Sequence, residues 1–411
     1  MYVFIKKSKN LLYFFDKLTF NIVKIKNNNE LDTKEQDEIL SFLNANMQKN
    51  KNDFLLSEFT NDYELSIGLI SSCNLDCKYC YGKNKNGDKL DLKILENTLK
   101  RLEDKNINVQ FVGDGEALVD FEYFKKAVKI IKRFTNKIWL VTNGTLLSKE
   151  IIDFLILEKI NITISMDGGT EQFQNKYRIL KNGNGTYKKI KSNFNMLIKC
   201  EEDKNNKITK WISTVITNKN SDLIALYNSF ESIPADFIMF RFYMGNTSEF
   251  IINIDNEFEE KIKSYIKYIF LRMKENDKNV YRVINPRDNI FKFLLRIVTK
   301  NLTIERCGAG KSKSSLYTDG EQYLCDYCLG IRDLSLNNYT VKENQNCLSC
   351  DYYTLCGGYC KFEKYCENNF SCLVTPLIVN TIIVELSELE IYYSQIFDNL
   401  KNYCKRISLY L

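Results

Sequence analysis

Three cysteines fall in one short stretch, Cys73-Asn-Leu-Asp-Cys77-Lys-Tyr-Cys80, a CxxxCxxC spacing. Three thiolates from a single loop suit three irons of a cubane cluster and leave the remaining iron open to a small molecule; no fourth ligand is near in the strand and helix that follow. Zinc is the competing metal, but a closed zinc site wants four ligands and the chain has no histidine to complete one. The same zero excludes an imidazole-activated serine or cysteine nucleophile and a histidine general base. Chemistry must rest on cysteines, carboxylates, amines, phenols or a cofactor. A second concentration of thiols runs from Cys307 to Cys372, with Cys325, Cys328, Cys347, Cys350, Cys356, Cys360 and Cys366 between them. Asp326 directly follows Cys325 and is a candidate base in a chain without imidazole, or else a surface aspartate in a turn. Cys200 and Cys404 lie in helical patterns and read as ordinary buried thiols.

Fourteen cysteines in 411 residues call for disulfides, metal sites or redox centres. The opening MYVFIKKSKN lacks the apolar core of a secretory signal. No apolar run reaches the roughly 18 residues of a membrane span; the nearest, Leu373 to Leu386, is interrupted by Thr375, Pro376, Asn380 and Thr381. A cytoplasmic location is expected, where clustered cysteines bind metal before they pair as disulfides. The net charge of +6 is too mild to argue for a nucleic-acid partner or an anionic membrane. An apolar share of 44% makes the chain globular.

The elements that must position the thiols follow from periodicity. Residues 1–60 read as a small strand and helix unit, with strands near Tyr2 to Ile5, Leu11 to Phe15 and Phe20 to Ile25, a helix over 33–47 and a polar linker at 49–53. Residues 61–250 alternate strand and helix. Near-continuous apolar runs at Leu65 to Ser71, Val109 to Gly113, Ile138 to Thr142, Ile162 to Asp167, Trp211 to Thr217 and Phe237 to Tyr243 suit parallel strands covered on both faces. Helices fill the gaps at Leu92 to Leu102, Phe121 to Phe134, Lys149 to Leu157, Tyr187 to Lys199 and Asp222 to Phe230. The expected class is α/β, a partial (β/α)6 TIM-like barrel with a small N-terminal α+β unit, and its site belongs at the C-terminal strand ends. A helical bridge at 251–306, a cysteine-rich unit at 307–375 that metal bonds must stabilise, and a C-terminal helix within 376–411 complete the plan.

The CxxxCxxC loop at the tip of the first barrel strand resembles the signature of the radical SAM superfamily, with Tyr79 at the usual aromatic position. The resemblance implies a 4Fe-4S cluster on Cys73, Cys77 and Cys80 whose open iron binds S-adenosylmethionine and yields a 5′-deoxyadenosyl radical. Further segments support it in order. Gly113-Asp114-Gly115-Glu116-Ala117 is similar to the family's GGEP, with Asp114 inserted and Ala117 in place of proline; Thr142-Asn143-Gly144 is similar to its TNG turn. Ser165 and Asp167 sit in a pattern like SxDG, and Arg178 stands at the following arginine position. Gly113, Gly115, Glu116, Asn143, Ser165, Asp167 and Arg178 are therefore the expected S-adenosylmethionine contacts. The histidine usual between that aspartate and arginine is absent, and Gln172-Phe173-Gln174 stands there.

The later cysteines, with Gly320 between Cys307 and Cys325, resemble the SPASM extension of peptide-modifying members, including thioether-forming sactipeptide and ranthipeptide synthases. The resemblance implies two auxiliary 4Fe-4S clusters. Cys307, Cys325 and Cys360 would hold the first, with Cys328 available to close it; Cys347, Cys350, Cys356 and Cys372 would hold the second, with Cys366 competing for the trailing place. The implied activity is hydrogen abstraction from a ribosomally made precursor peptide and formation of a thioether, with flavodoxin or ferredoxin as electron donor and the N-terminal unit as a leader-binding element. Other outcomes are a carbon–carbon cross-link, formylglycine formation, or epimerisation with Cys200 or Cys404 as hydrogen donor. A non-catalytic zinc or iron–sulfur interaction protein is the reading from another class; iron and sulfide analysis separates the two.

Overall fold

The computed structural model describes residues 2–8, 11–16, 21–26, 39–41, 43, 61–82, 85–113, 115–245, 247–301, 303, 306–340, 347 and 349–408. The helix expected at 33–47 lies outside the described residues apart from helical 39–41 and 43, and the linker at 49–53 and Asp114 lie outside them altogether.

Strands β1 (Tyr2–Ser8), β2 (Leu11–Asp16) and β3 (Ile22–Lys26) form an antiparallel sheet in the order β1-β2-β3. From there the chain alternates: β4 (Asp62–Ile67), α1 (Leu92–Arg101), β5 (Asn106–Phe111), α2 (Phe121–Ile131), β6 (Ile138–Thr142), α3 (Lys149–Leu157), β7 (Asn161–Ser165), α4 (Tyr187–Lys204), β8 (Lys210–Ile216), α5 (Leu223–Ser229) and β9 (Phe237–Phe242). Each of β4 to β9 pairs in parallel with the next. Side-chain caps fix where the helices begin: Asp91, Asp120, Ser148 and Asp222 each accept a first-turn backbone N–H. The expected coverage of both faces holds for one face only. Leu65, Val109, Leu140, Ile162, Ile212 and Phe240 share that face and are fully buried, while Glu64, Gln110, Thr163, Ser213 and Arg241 on the other line cavities in the barrel interior.

The barrel does not close on itself. Past helix α6 (Asn256–Lys274), the segment ending at Asn289 runs along the free edge of β9. Phe240 N donates to Asp288 Oδ2 at 2.7 Å, Phe242 N to Asn289 Oδ1 at 2.8 Å, and Asn289 N to Phe240 O at 2.9 Å, so that edge is satisfied. Helix α7 (Lys292–Thr299) follows, and α6 and α7 share one apolar core with the barrel strands.

The other edge carries what the sequence pattern does not show. Strand β10 (Lys313–Leu316) pairs in parallel with β4, and β11 (Gln322–Tyr323) pairs antiparallel with β10, so the sheet has eight strands. The contact is lined by small polar groups: Ser66, Ser314 and Ser315 are buried, and Tyr63 Oη donates to Ser314 Oγ at 2.9 Å.

At the C-terminus the expected single helix is two, α8 (Phe370–Tyr392) and α9 (Ser394–Ser408). Pro376 lies inside α8 without ending it. Thr375 and Thr381 turn their hydroxyls back on the carbonyls of Ser371 and Leu377, at 2.7 and 2.8 Å, so the interruptions read in the sequence are absorbed by the helix. By length and composition α8 is apolar enough to cross a membrane; 67% of its most apolar window is buried inside the protein, where it packs on α6 and α7.

Candidate functional site

The three-cysteine loop leaves the C-terminal end of β4 and is clamped from two sides. Asp76 N donates to Ile179 O at 2.9 Å and Lys78 N to Tyr177 O at 3.1 Å, tying it to the segment after β7. On the other side Glu116 N donates to Ser72 O at 2.9 Å. That approach requires glycine at 115, where a Cβ would stand 1.9 Å from Ile70 O; a Cβ on Gly113 would meet Gly68 Cα at 2.9 Å.

Cys73, Cys77 and Cys80 open on one cavity, whose wall also holds Gly113, Gly115, Glu116, Asn143, Ser165 and Arg178. Burial pushes the Cys77 thiol up to about 12. A thiolate here needs a cationic partner, which a cluster supplies. Among the described residues no three Cys, Asp or Glu groups converge as ligands of a single ion. A cubane holds its thiolates farther apart than one ion does, so three cysteines round a common cavity fit the larger group.

Glu116 is buried, and its carboxylate accepts from Asn143 N at 2.7 Å, Thr142 Oγ1 at 2.9 Å and Leu118 N at 3.3 Å. Burial raises its carboxyl to about 7. Asn143 Nδ2 donates to Asn74 Oδ1 at 2.8 Å, joining the turn after β6 to the cysteine loop.

Asp167 does not line the cavity. It is 1% exposed and lies behind the wall, 3.1 Å from Arg178 Nε in an ion pair whose N–H is not aimed along the hydrogen-bond direction. Tyr79 Oη donates to the same carboxylate, and the Arg178 guanidinium stands 5.3 Å from the Tyr79 ring centroid. Asp167 thus steadies Arg178 and Tyr79, where the sequence reading expected it among the S-adenosylmethionine contacts. Gln174, in the segment that lacks the usual histidine, accepts from Asp167 N at 2.7 Å and donates to Thr186 Oγ1 at 3.0 Å.

Residues 67–208 match the model of the Radical SAM superfamily. The match identifies a radical SAM domain within the chain. Such a domain implies a 4Fe-4S cluster and S-adenosylmethionine, and the chain is an enzyme that uses S-adenosylmethionine. Among similar curated proteins, a cysteine-type anaerobic sulfatase-maturating enzyme of Clostridium novyi is 23% identical over 73% of this chain and 87% of its own length. A serine-type anaerobic sulfatase-maturating enzyme of Bacteroides thetaiotaomicron is 29% identical over 42% of this chain and 44% of its own. Among solved structures, native anSMEcpe with bound AdoMet and the Kp18Cys peptide superposes with a TM-score of 0.60 at 19% identity, covering 82% of this chain and 99% of that one. SuiB of Streptococcus suis bound to precursor peptide SuiA gives 0.52 at 15% identity, covering 88% and 96%. At these identities the structures establish a shared fold.

In this radical SAM protein the later cysteines fall into two neighbourhoods. Cys307, Cys325 and Cys360 line a second cavity. Cys328 is fully buried beside them and does not line it, with its Sγ 3.5 Å from that of Cys325. Cys347, Cys350, Cys356 and Cys372 form the other group. Burial raises the Cys347 thiol, with Cys356 and Cys350 adding to it, and burial raises Cys372, with Cys356 and Cys347 adding. Cys366 instead packs against the apolar cluster of Tyr323, Leu324 and Leu334. Cys200 and Cys404 are buried in the main core and line neither of these two cavities.

Asp326 lines both cavities, together with Tyr327, Lys313, Arg241 and Arg287. These side chains form a wall one residue thick between the two sets of thiols. Glu64 sits beneath it, 2.6 Å from Lys313 Nζ and 3.2 Å from Arg287 Nη2, while Arg287 Nη1 donates to Gln110 Oε1 at 2.6 Å. Sequence reasoning named Asp326 alone from this wall. Arg241 carried a signal, a charge inside the otherwise apolar strand FIMFRF. Lys313 and Arg287 carried none.

Proposed function

We propose that this radical SAM enzyme modifies a ribosomally made precursor peptide, joining a cysteine sulfur to a carbon as a thioether. The observation that supports this is the shared wall, with Cys307, Cys325 and Cys360 on the far side of it from the cavity of Cys73, Cys77 and Cys80. The solved relatives named for bound peptides support the substrate class.

In this reading Cys73, Cys77 and Cys80 hold the cluster, and Gly113, Gly115, Glu116, Asn143, Ser165 and Arg178 contact S-adenosylmethionine, with Asp167 fixing Arg178 from behind. Bound there, the two cofactors supply a 5′-deoxyadenosyl radical that takes one hydrogen atom from the peptide. The new carbon–sulfur bond forms as the S–H bond breaks; Asp326 takes that proton. Cys307, Cys325 and Cys360, with Cys328 once its thiol turns toward the cavity, would hold an auxiliary cluster, which would supply the acceptor for the remaining electron. Cys347, Cys350, Cys356 and Cys372 would hold a further cluster. The β1-β2-β3 sheet offers an edge strand for a leader peptide, and flavodoxin or ferredoxin would deliver the activating electron.

The sulfatase-maturating relatives favour a second reading with the same balance of electrons, oxidation of a cysteine or serine to formylglycine. Reconstituted enzyme with S-adenosylmethionine, reductant and a cysteine-containing peptide separates them. A thioether gives 5′-deoxyadenosine and a product short of two hydrogens, with sulfur retained and the thiol closed to alkylation. Loss of sulfur and gain of an aldehyde replaces the first reading with the second. Deoxyadenosine without mass change, and with deuterium uptake from heavy water, rejects both.

A further inference from the structure

The reaction described above leaves a concentration of positive charge unused. Arg241, Arg287, Lys292, Arg296, Arg306 and Lys313 line the second cavity, against only two carboxylates, Glu64 and Asp326. Glu64 is engaged by Lys313 and Arg287. The other four cations form no ion pair with a carboxylate among the described residues; Glu64 acts on Arg241 and Glu363 on Arg306 only at longer range. Arg296 donates to Leu355 O; Arg306 donates to Ser371 Oγ and, at 3.5 Å, to Cys356 Sγ. Among the described residues Lys292 Nζ makes no hydrogen bond and stands 5.0 Å from the centroid of the Phe293 ring. Burial, with Arg306 and Arg296 close by, pushes the Lys292 ammonium down to about 7. Several cations gathered without carboxylates are unfavourable unless another anion shares the space. What shares it here is Cys307, Cys325 and Cys360, with Cys356 at the border of the other group also acting on Lys292, Arg296 and Arg306.

We propose that Arg241, Lys292, Arg296 and Arg306 surround the cluster held by Cys307, Cys325 and Cys360 and raise its reduction potential. The proposal rests on the reading of those cysteines given above. A thiolate-ligated cluster is anionic, and reduction adds one more negative charge. Cations in a cavity of low dielectric therefore stabilise the reduced form more than the oxidised one. The electron released when the carbon–sulfur bond forms then has a downhill path across the wall. The four cations are positioning residues for that transfer and touch no reacting atom.

The test is a redox titration of reconstituted full-length enzyme followed by electron paramagnetic resonance. Lys292→Gln removes a charge and no hydrogen bond. Its expected effect is a fall of about tenfold in the reduction equilibrium of one auxiliary signal, ~59 mV for one electron, with the S-adenosylmethionine-binding cluster unmoved. Lys292→Arg should return the potential to its wild-type value, and Arg241→Gln should move it in the same direction as Lys292→Gln. An auxiliary signal that stays in place in both Gln variants overturns the proposal. So does an equal shift of every cluster, or loss of the signal in place of a shift. Iron and sulfide analysis of the same wild-type sample keeps the two levels apart: iron for a single cluster refutes the auxiliary-cluster reading itself, whereas auxiliary iron with an unmoved potential refutes only the role of the cations.

Discussion

The ring of Tyr81 stands 5.0 Å from the ring of Tyr327, tilted by 37°. Tyr81 directly follows Cys80, and Tyr327 lies between Cys325 and Cys328. Tyr327 in turn is 5.5 Å from Phe362, two residues past Cys360. The loops that carry the two sets of thiols therefore touch through aromatic faces, and their separation is fixed by packing.

Truncating that contact should uncouple the two halves of the reaction. For Tyr327→Ala, 5′-deoxyadenosine should still form while modified peptide falls severalfold relative to it, and the loss of a partly buried ring should lower stability by about 1–3 kcal/mol. Tyr327→Phe keeps the ring and should keep the product ratio. A Phe variant as uncoupled as Ala would assign the effect to the hydroxyl.

Gly115→Ala should prevent the loop after β5 from closing on the cysteine loop, since the added carbon would stand 1.9 Å from Ile70 O. The expected result is a stability loss of about 1–3 kcal/mol and a marked drop in S-adenosylmethionine cleavage, with auxiliary iron retained. Wild-type cleavage in this variant would show that the close approach is not needed for the site.

Burial alone would raise the Glu64 carboxyl, but Lys313 and Arg287 overcome it and hold it at about 2, against an ordinary 4.5. A folded-state value below the unfolded one means that this stabilisation is present above pH 4.5 and is lost as the pH falls toward 2. The shift corresponds to about 3 kcal/mol at most. Denaturant unfolding at several acid pH values should show this component in the wild type. In Glu64→Gln it should be missing, together with stability at neutral pH, because two partly buried cations lose their partner. An unchanged acid profile in the variant would mean the ion pairs contribute nothing.

Cys372→Ser should remove one cluster's worth of iron, about four per chain, and Cys366→Ser should remove none. Metal analysis after identical reconstitution distinguishes them. The reverse pattern would move the trailing ligand to Cys366, despite its place in the Tyr323 and Leu334 cluster.

Much of the barrel is legible in the chain because each strand buries one apolar face in the shared core with the helices. Ile138–Thr142 and Lys149–Leu157 follow directly from apolar runs and a serine cap. The three-cysteine loop and the segments around Glu116, Asn143 and Ser165 are legible for a different reason: each sits at a strand end, so chain order maps onto one rim. Strand β10 is hidden because Lys-Ser-Ser-Leu has neither apolar alternation nor length, and its partner β4 lies some 250 residues away in sequence. The cationic wall is hidden for the same reason. Lys313, Arg287 and Arg241 come from β10, the β9 edge segment and β9, and only the folded sheet with its edge segment brings them together. Pro376 misleads in the opposite direction, because packing of α8 on α6 and α7 outweighs the about 3 kcal/mol a helix-interior proline costs.

The pairing of β10 with β4 also governs how the chain can be divided. A fragment ending near residue 306 would strip β4 of a neighbour on one side, baring the backbone groups of Glu64, Ser66 and Gly68. Such a border invites another copy of the same fragment to dock in register. A shortened barrel would thus tend to aggregate instead of standing alone as a minimal catalyst.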